Sequence, residues 1–126
     1  MKKLLIFICL LVAAMAVTTS CSNSAKAKSK YESQKAYVDS LQKVNRQNIN
    51  GAMLTETGTA ILTTKLQCYH QETLALDSLK NLAKEAFGDN SAEYKEAYDR
   101  YVKAKETEEE TTNQSIRHLR DATRGL

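Results

Sequence analysis

The sequence predicts an all-α protein: an elongated helical hairpin with a third helix packed along it, a three-helix bundle or coiled-coil-like rod. Three observations carry this. The chain has 126 residues, no proline and only four glycines, and Ala, Leu, Lys, Glu and Gln, all good helix formers, dominate it. Apolar residues past the N-terminus recur every three or four positions rather than every second one, the period of an amphipathic helix. Two polar tracts, "NING" at Asn48–Gly51 and "GDNS" at Gly88–Ser91, divide the periodic part into three, and Asn and Gly tolerate the left-handed backbone that ends helices.

The first helix is expected from about Tyr31 to Ile49, with Tyr31, Gln34, Val38, Leu41, Val44 (or Asn45) and Ile49 on its apolar stripe. The second runs from about Met53 to Phe87, striped by Leu62, Leu66, Tyr69, Thr73, Leu76, Leu79, Ala83 and Phe87. Its start is open. "TETGTAILTT", Thr55 to Thr64, holds Gly58 and five threonines, which are poor helix formers, so a start near Thr59 with Thr57 as cap is the alternative. The third is expected from about Ala92 to Thr123, opened by an Asn90/Glu93 capping box, in which each side chain satisfies a backbone donor of the first turn. Tyr94, Ala97, Tyr98, Tyr101, Ala104 and Lys105 line one face, and the stripe resumes at Thr111, Ser115, Ile116 and Leu119. Glu96–Arg100 and Asp99–Lys103 are i,i+4 pairs in the favourable order. Arg117, His118, Arg120 and Arg124 crowd the last turns, where cations suit the helix dipole.

Helices of about 30 residues are about 45 Å long at 1.5 Å per residue, and a four-residue turn makes the second and third antiparallel neighbours. The resulting core is thin. The middle of the third helix, "KETEEETTNQS" from Lys105 to Ser115, is polar nearly all round. Such a segment either bridges solvent, frays, or is covered by a partner. This predicts a complex or a homo-oligomer with contacts at Tyr94, Tyr98, Tyr101, Glu106 and Glu109. The tyrosines serve equally as core residues whose hydroxyls reach solvent, with Tyr31, Tyr37 and Tyr69 opposite.

The N-terminus has a different character. Met1-Lys2-Lys3 is a positive start, Leu4 to Val17 is an uncharged apolar run of fourteen residues, and Thr18-Thr19-Ser20-Cys21 follows. That is the anatomy of a secretory signal, and the run is short against the roughly 20 residues a membrane-spanning helix needs. Ser20-Cys21 at the end of the apolar run resembles the lipobox of bacterial lipoproteins, with Thr18 standing where leucine is usual. The resemblance implies cleavage before Cys21, a diacylglyceryl thioether on its sulfur and an acyl chain on its new amine. Two or three chains hold a membrane far better than one. Ser22 after the cysteine implies the outer membrane, facing the periplasm. The expected organisation is therefore a signal peptide over 1–20, a lipidated cysteine and flexible tether over 21–30, and a helical domain over 31–126. The tether lysines Lys26, Lys28 and Lys30 are placed to touch anionic head groups or to stay solvated.

Cleavage changes the charge and the cysteine count. The full chain has 18 basic and 15 acidic residues; without Lys2 and Lys3 the balance is 16 to 15, and from Tyr31 onward it is 13 to 15. No concentrated basic face of the kind nucleic-acid binders carry is predicted. Cys9 leaves with the signal and Cys21 is acylated, so Cys68 is either a buried thiol or half of an inter-chain disulfide.

Nothing in the chain spells a catalyst. Cys68 and His70 are two apart on a helix and point to different faces. Metal sites in helical bundles use Glu-x-x-His, but Gln67 and Ser115 stand three before His70 and His118. The acidic run Glu106, Glu108, Glu109, Glu110 lacks calcium-loop spacing and its turn glycine. No enzyme activity, metal, cofactor or small-molecule substrate is expected. "VDSLQKV" at Val38 echoes "LDSLKNL" at Leu76, as after a helix duplication. Asp-Ser-Leu also resembles an O-glycosylation sequon of one group of Gram-negative bacteria, which would make Ser40 and Ser78 acceptors. The expected function is that of a small lipid-anchored accessory or scaffold subunit in the cell envelope. The alternative is a lipid-anchored immunity or inhibitor protein that binds a toxin or hydrolase.

Overall fold

The computed structural model describes residues 23–124, and across them the protein is all-α, with three helices: α1 (Asn23–Thr55), α2 (Thr59–Phe87) and α3 (Ala92–Arg124). Short turns make consecutive helices antiparallel. α2 is the central element and packs against both α1 and α3.

The core lies in the half of the rod nearest the α2–α3 turn. Leu76 and Val38 are fully buried, with Leu79, Ala83, Ala97, Tyr31 and Ala75 closing the cluster. The equivalent positions of the two echoed heptapeptides, Val38 and Leu76, are thus the centre of this core. Alanines at Ala75, Ala83 and Ala97 let the helices approach closely, and Tyr31 packs edge-on against Phe87 with centroids 5.1 Å apart. Burial of this apolar stripe holds such helices together better than propensity does.

The helix boundaries depart from expectation in three places, the first two for a tertiary reason. The segment expected as a tether is helical from Asn23: Ala27 is buried, and the Lys28 ammonium lies 5.6 Å from the Phe87 ring centroid, so the end of α2 gives this segment a surface to pack on. "NING" does not stop α1. Ile49 and Ala52 are both buried, and their burial carries the helix through Asn50 and Gly51 to Thr55. The turn sits instead at Gly58, whose φ of 56° favours glycine. α2 accordingly starts at Thr59, the later of the two expected starts, but its cap position is Gly58 rather than Thr57 and no side chain caps it. At the α2–α3 turn the cap is Ser91, not Asn90: the Tyr94 amide donates to Ser91 Oγ at 3.1 Å, and Ser91 Oγ donates to the Gly88 carbonyl at 2.7 Å.

No described helix is long and apolar enough to cross a membrane. The expected signal peptide and Cys21 lie outside the described residues.

Candidate functional site

Two open grooves flank α3, and of the five expected contact residues only Glu109 lines one of them. The first lies between all three helices and is about 220 Å³, lined by Gln42, Tyr69, Glu72, Arg100, Lys103, Ala104 and Thr107. Its floor is a polar clasp. Asn45 is 3% exposed, whereas Val44 is 49% exposed, so of the two stripe alternatives the asparagine faces inward. Its side-chain amide donates to the Cys68 carbonyl at 3.1 Å and to Glu72 Oε2 at 3.3 Å. The Glu72 carboxyl titrates above its ordinary range because burial disfavours its charge; hydrogen bonds from Asn45 and Gln42 and the nearby Arg46 charge oppose this shift. Arg100 closes the groove by donating to Asp39 Oδ1 and Gln42 Oε1, both at 2.9 Å. The expected Glu96–Arg100 pairing gives way to this cross-helix contact, because Asp39 and Gln42 together offer two acceptors that a single turn of α3 cannot.

The second groove lies between α2 and α3 on the face away from α1. It is about 490 Å³, lined by His70, Thr73, Lys105, Glu108, Glu109, Thr112 and Asn113. One side of it is fastened: His70 Nδ1 meets Glu108 Oε1 at 2.7 Å. Thr111 is buried and donates to the Thr107 carbonyl at 2.8 Å. Thr107 and Thr112 bond back to Lys103 and Glu108 in the same way, which satisfies their hydroxyls within the helix. The polar middle of α3 therefore stays helical and in contact with α2, and does not fray.

The five expected contact residues separate. Tyr94 and Tyr101 are half-buried against the core, and the Lys80 ammonium sits 4.4 Å from the Tyr101 centroid, a cation–π contact that holds the ring inward. Lys80 titrates above its ordinary range, chiefly through its hydrogen bond to Asp77. These two tyrosines are core residues. Tyr98 faces solvent and leans on Tyr94 at 6.0 Å. Glu106 and Glu109 are exposed, whereas Glu108 is the one tied to His70. Of the other tyrosines, Tyr31 is buried, Tyr69 half-buried and Tyr37 exposed.

Cys68 is 6% exposed, the buried-thiol alternative. Burial, and secondarily the Glu72 charge, raises its thiol above the ordinary range. An inter-chain disulfide through Cys68 would require α1 and α2 to part here. Ser40 and Ser78 are both exposed. Among the described residues no three of His, Cys, Asp or Glu come together; His70 reaches Glu108, and His118 lies over Gly58 at the opposite end of the rod from the α2–α3 turn.

The residues that sequence reasoning passed over are Arg100 as an inter-helix tie and Glu72 as a covered carboxylate. One signal for the second was present: Glu72 lies four residues after Cys68 on the same helix, which places it over the stripe that α1 covers. No family model matches this chain, and no curated protein or solved structure matches it.

Proposed function

We propose that the protein is a lipid-anchored, non-catalytic accessory or scaffold subunit of a bacterial cell envelope, held in the outer membrane through Cys21 and facing the periplasm. The observation that carries the reading is the junction between anchor and rod. The apolar run ends in Ser20-Cys21, and α1 begins at Asn23. An acyl chain on Cys21 would be followed almost at once by helix. A helix of 33 residues rises about 50 Å at 1.5 Å per residue, so the turn near Gly58 and the end of α3 stand well clear of the bilayer. A short connection of this kind carries a spacer that presents contact surfaces at a set height, which a long flexible linker does not.

The alternative is an anchored immunity or inhibitor protein. Its support is the pairing of an exposed aromatic, Tyr98, with the exposed acidic Glu106 and Glu109 on one helix, a combination suited to a basic cleft on a foreign target.

Mass spectrometry of the protein from cells tests the anchor: acyl mass on an N-terminal Cys21, with loss of membrane association in Cys21→Ala, is the expected result. A Cys21→Ala product that remains acylated and membrane-bound refutes it. Cross-linking in intact cells then separates the two readings. A dominant resident envelope partner supports the scaffold, and a target supplied only from another strain or species supports the inhibitor.

A further inference from the structure

We infer that the outer face of α3 is a dimerisation surface, and that its occupant is α3 of a second copy of this chain, running antiparallel. The inference deepens the reading that the protein acts by contact, and it names the partner of that surface.

α3 carries two parallel stripes. One, through Ala97, Tyr101, Ala104, Glu108 and Thr111, turns toward α2. The other is Tyr98, Val102, Lys105, Glu109, Thr112, Ile116 and Leu119. Its spacing alternates four and three, the repeat with which one helix meets another. Tyr98, Ile116 and Leu119 on this stripe are large and about half exposed. In the distal half of α3 the large aliphatics therefore lie on the outer stripe, while the stripe against α2 holds Thr111 and Ser115. Exposed apolar residues scattered singly need no explanation, but an aligned set beside an open groove does. The groove of about 490 Å³ runs along this stripe, with Lys105, Glu109 and Thr112 in its wall, and Leu74 on α2, 57% exposed, lies one turn beyond His70 on its other side.

Charge order on the stripe identifies the occupant. From its N-terminal end it reads aromatic, apolar, basic, acidic, polar, apolar, apolar. Reversed and laid on itself about a two-fold axis midway between Lys105 and Glu109, the stripe is self-complementary. Lys105 stands opposite Glu109 of the second copy, and Glu109 opposite its Lys105. Tyr98 stands opposite Ile116 of the second copy, with Leu119 one turn further on. An isologous two-fold contact requires this reciprocity, in which each pair occurs twice. A helix with one net charge along its length would not supply it. Neither Lys105 nor Glu109 takes part in the ion pairs found among the described residues, so both are available across the interface. The two α3 helices with the flanking α2 helices form a four-helix layer in which Leu74 lies at the rim. A contact strip about 32 Å long, from Tyr98 to Leu119, is at the small end for stable association. The dimer is therefore weak in dilute solution, and confinement to one membrane surface raises its occupancy.

The test is sedimentation equilibrium of the full acylated protein in density-matched detergent, across a concentration series. The expected result is a reversible monomer–dimer equilibrium. Lys105→Glu and Glu109→Lys each weaken it at least about tenfold, because each creates two like-charge oppositions. Combining them returns the dissociation constant to near that of the unchanged protein. Leu119→Asp abolishes the dimer, whereas Leu54→Asp, on the turn-proximal end of α1, leaves it intact. A protein monomeric throughout overturns the inference, as does a dimer indifferent to Lys105→Glu, a double variant no better than the single ones, or a dimer broken by Leu54→Asp and not by Leu119→Asp. A monomeric result would leave the Cys21 anchor standing, and loss of the anchor would leave the dimer standing, so the two proposals fail separately.

Discussion

Replacing Leu76 with alanine removes the side chain on which all three helices converge. Leu76 is fully buried, in a cluster with Val38 and Tyr31 of α1 and Ala97 of α3. The substitution deletes three carbons, about 2.4 kcal/mol at about 0.8 kcal/mol per buried methylene-sized group. A residual cavity on the order of 60 Å³ adds about 1.4 kcal/mol at about 24 cal/mol per Å³. The expected loss is therefore about 4 kcal/mol, a large part of the roughly 5–15 kcal/mol a small domain has in total. For a domain near 100 residues it lowers Tm by about 15–25 °C. The control is two residues away. Leu74 belongs to the same helix but is 57% exposed, so Leu74→Ala costs under about 1 kcal/mol and regains a little helix propensity. Urea titrations followed by circular dichroism at 222 nm measure both, with unchanged slopes required so that the midpoints report stability. Equal losses for the two variants would refute the placement of the core, since no helix-propensity argument distinguishes one leucine of α2 from another.

Four further outcomes are expected. Asn45→Ala leaves the covered Glu72 carboxylate and the Cys68 carbonyl short of a donor, and costs about 1–3 kcal/mol in the same titration. Glu72 in the folded protein titrates above the ordinary glutamate range, because burial disfavours its charge. The folded state therefore holds its proton more tightly than the unfolded state, and stability falls as pH rises from about 4.5 through the raised folded value. Glu72→Gln keeps the acceptor for Asn45 and removes this fall, so the variant matches the parent at pH 4 and exceeds it at pH 7; equal stability at both pH values would count against a covered carboxylate. Ser91→Ala removes the hydroxyl that caps α3 at the Tyr94 amide and costs about 1 kcal/mol, whereas Asn90→Ala, outside the cap, costs little. Cys68 reacts with a maleimide only as fast as α1 and α2 open, so its labelling rate rises steeply with urea, and non-reducing gels of the native protein show no dimer band dependent on Cys68.

Much of this architecture is legible in the sequence. The absence of proline, the three- and four-residue spacing of Gln34, Val38 and Leu41 and of Leu76, Leu79 and Ala83, and the polar tract at Gly88–Ser91 point to packed antiparallel helices, because local propensity and hydrophobic period point the same way. The end of α3 follows from the same local signals, and the start of α2 at Thr59 is the later of the two that they left open. Composition also limited the chemistry: two histidines, neither with a glutamate three before it, and a single cysteine in the helical region are properties of the residue list itself.

Which side chain faces in, and where α1 begins and ends, were decided by tertiary contact. Val44 and Asn45 both fit the stripe of α1, and apolarity favours valine; the asparagine turns inward because Glu72 and the Cys68 carbonyl need a donor there. Tyr94, Tyr98 and Tyr101 share one side of a helical wheel, yet only the first and third reach the core, since the interhelical seam is narrower than the arc the three rings span. "NING" reads as a stop and "SNSAKAKSK" as a tether because a sequence window records the cost of ordering Asn, Gly and Ser but not the surface that repays it. Ile49 and Ala52 against α2, and Ala27, Lys28 and Tyr31 at the end of α2, supply that surface from residues distant in the chain. Local signals state what a segment prefers in isolation; whether a neighbour offsets the entropy of ordering it is a property of the packed structure alone.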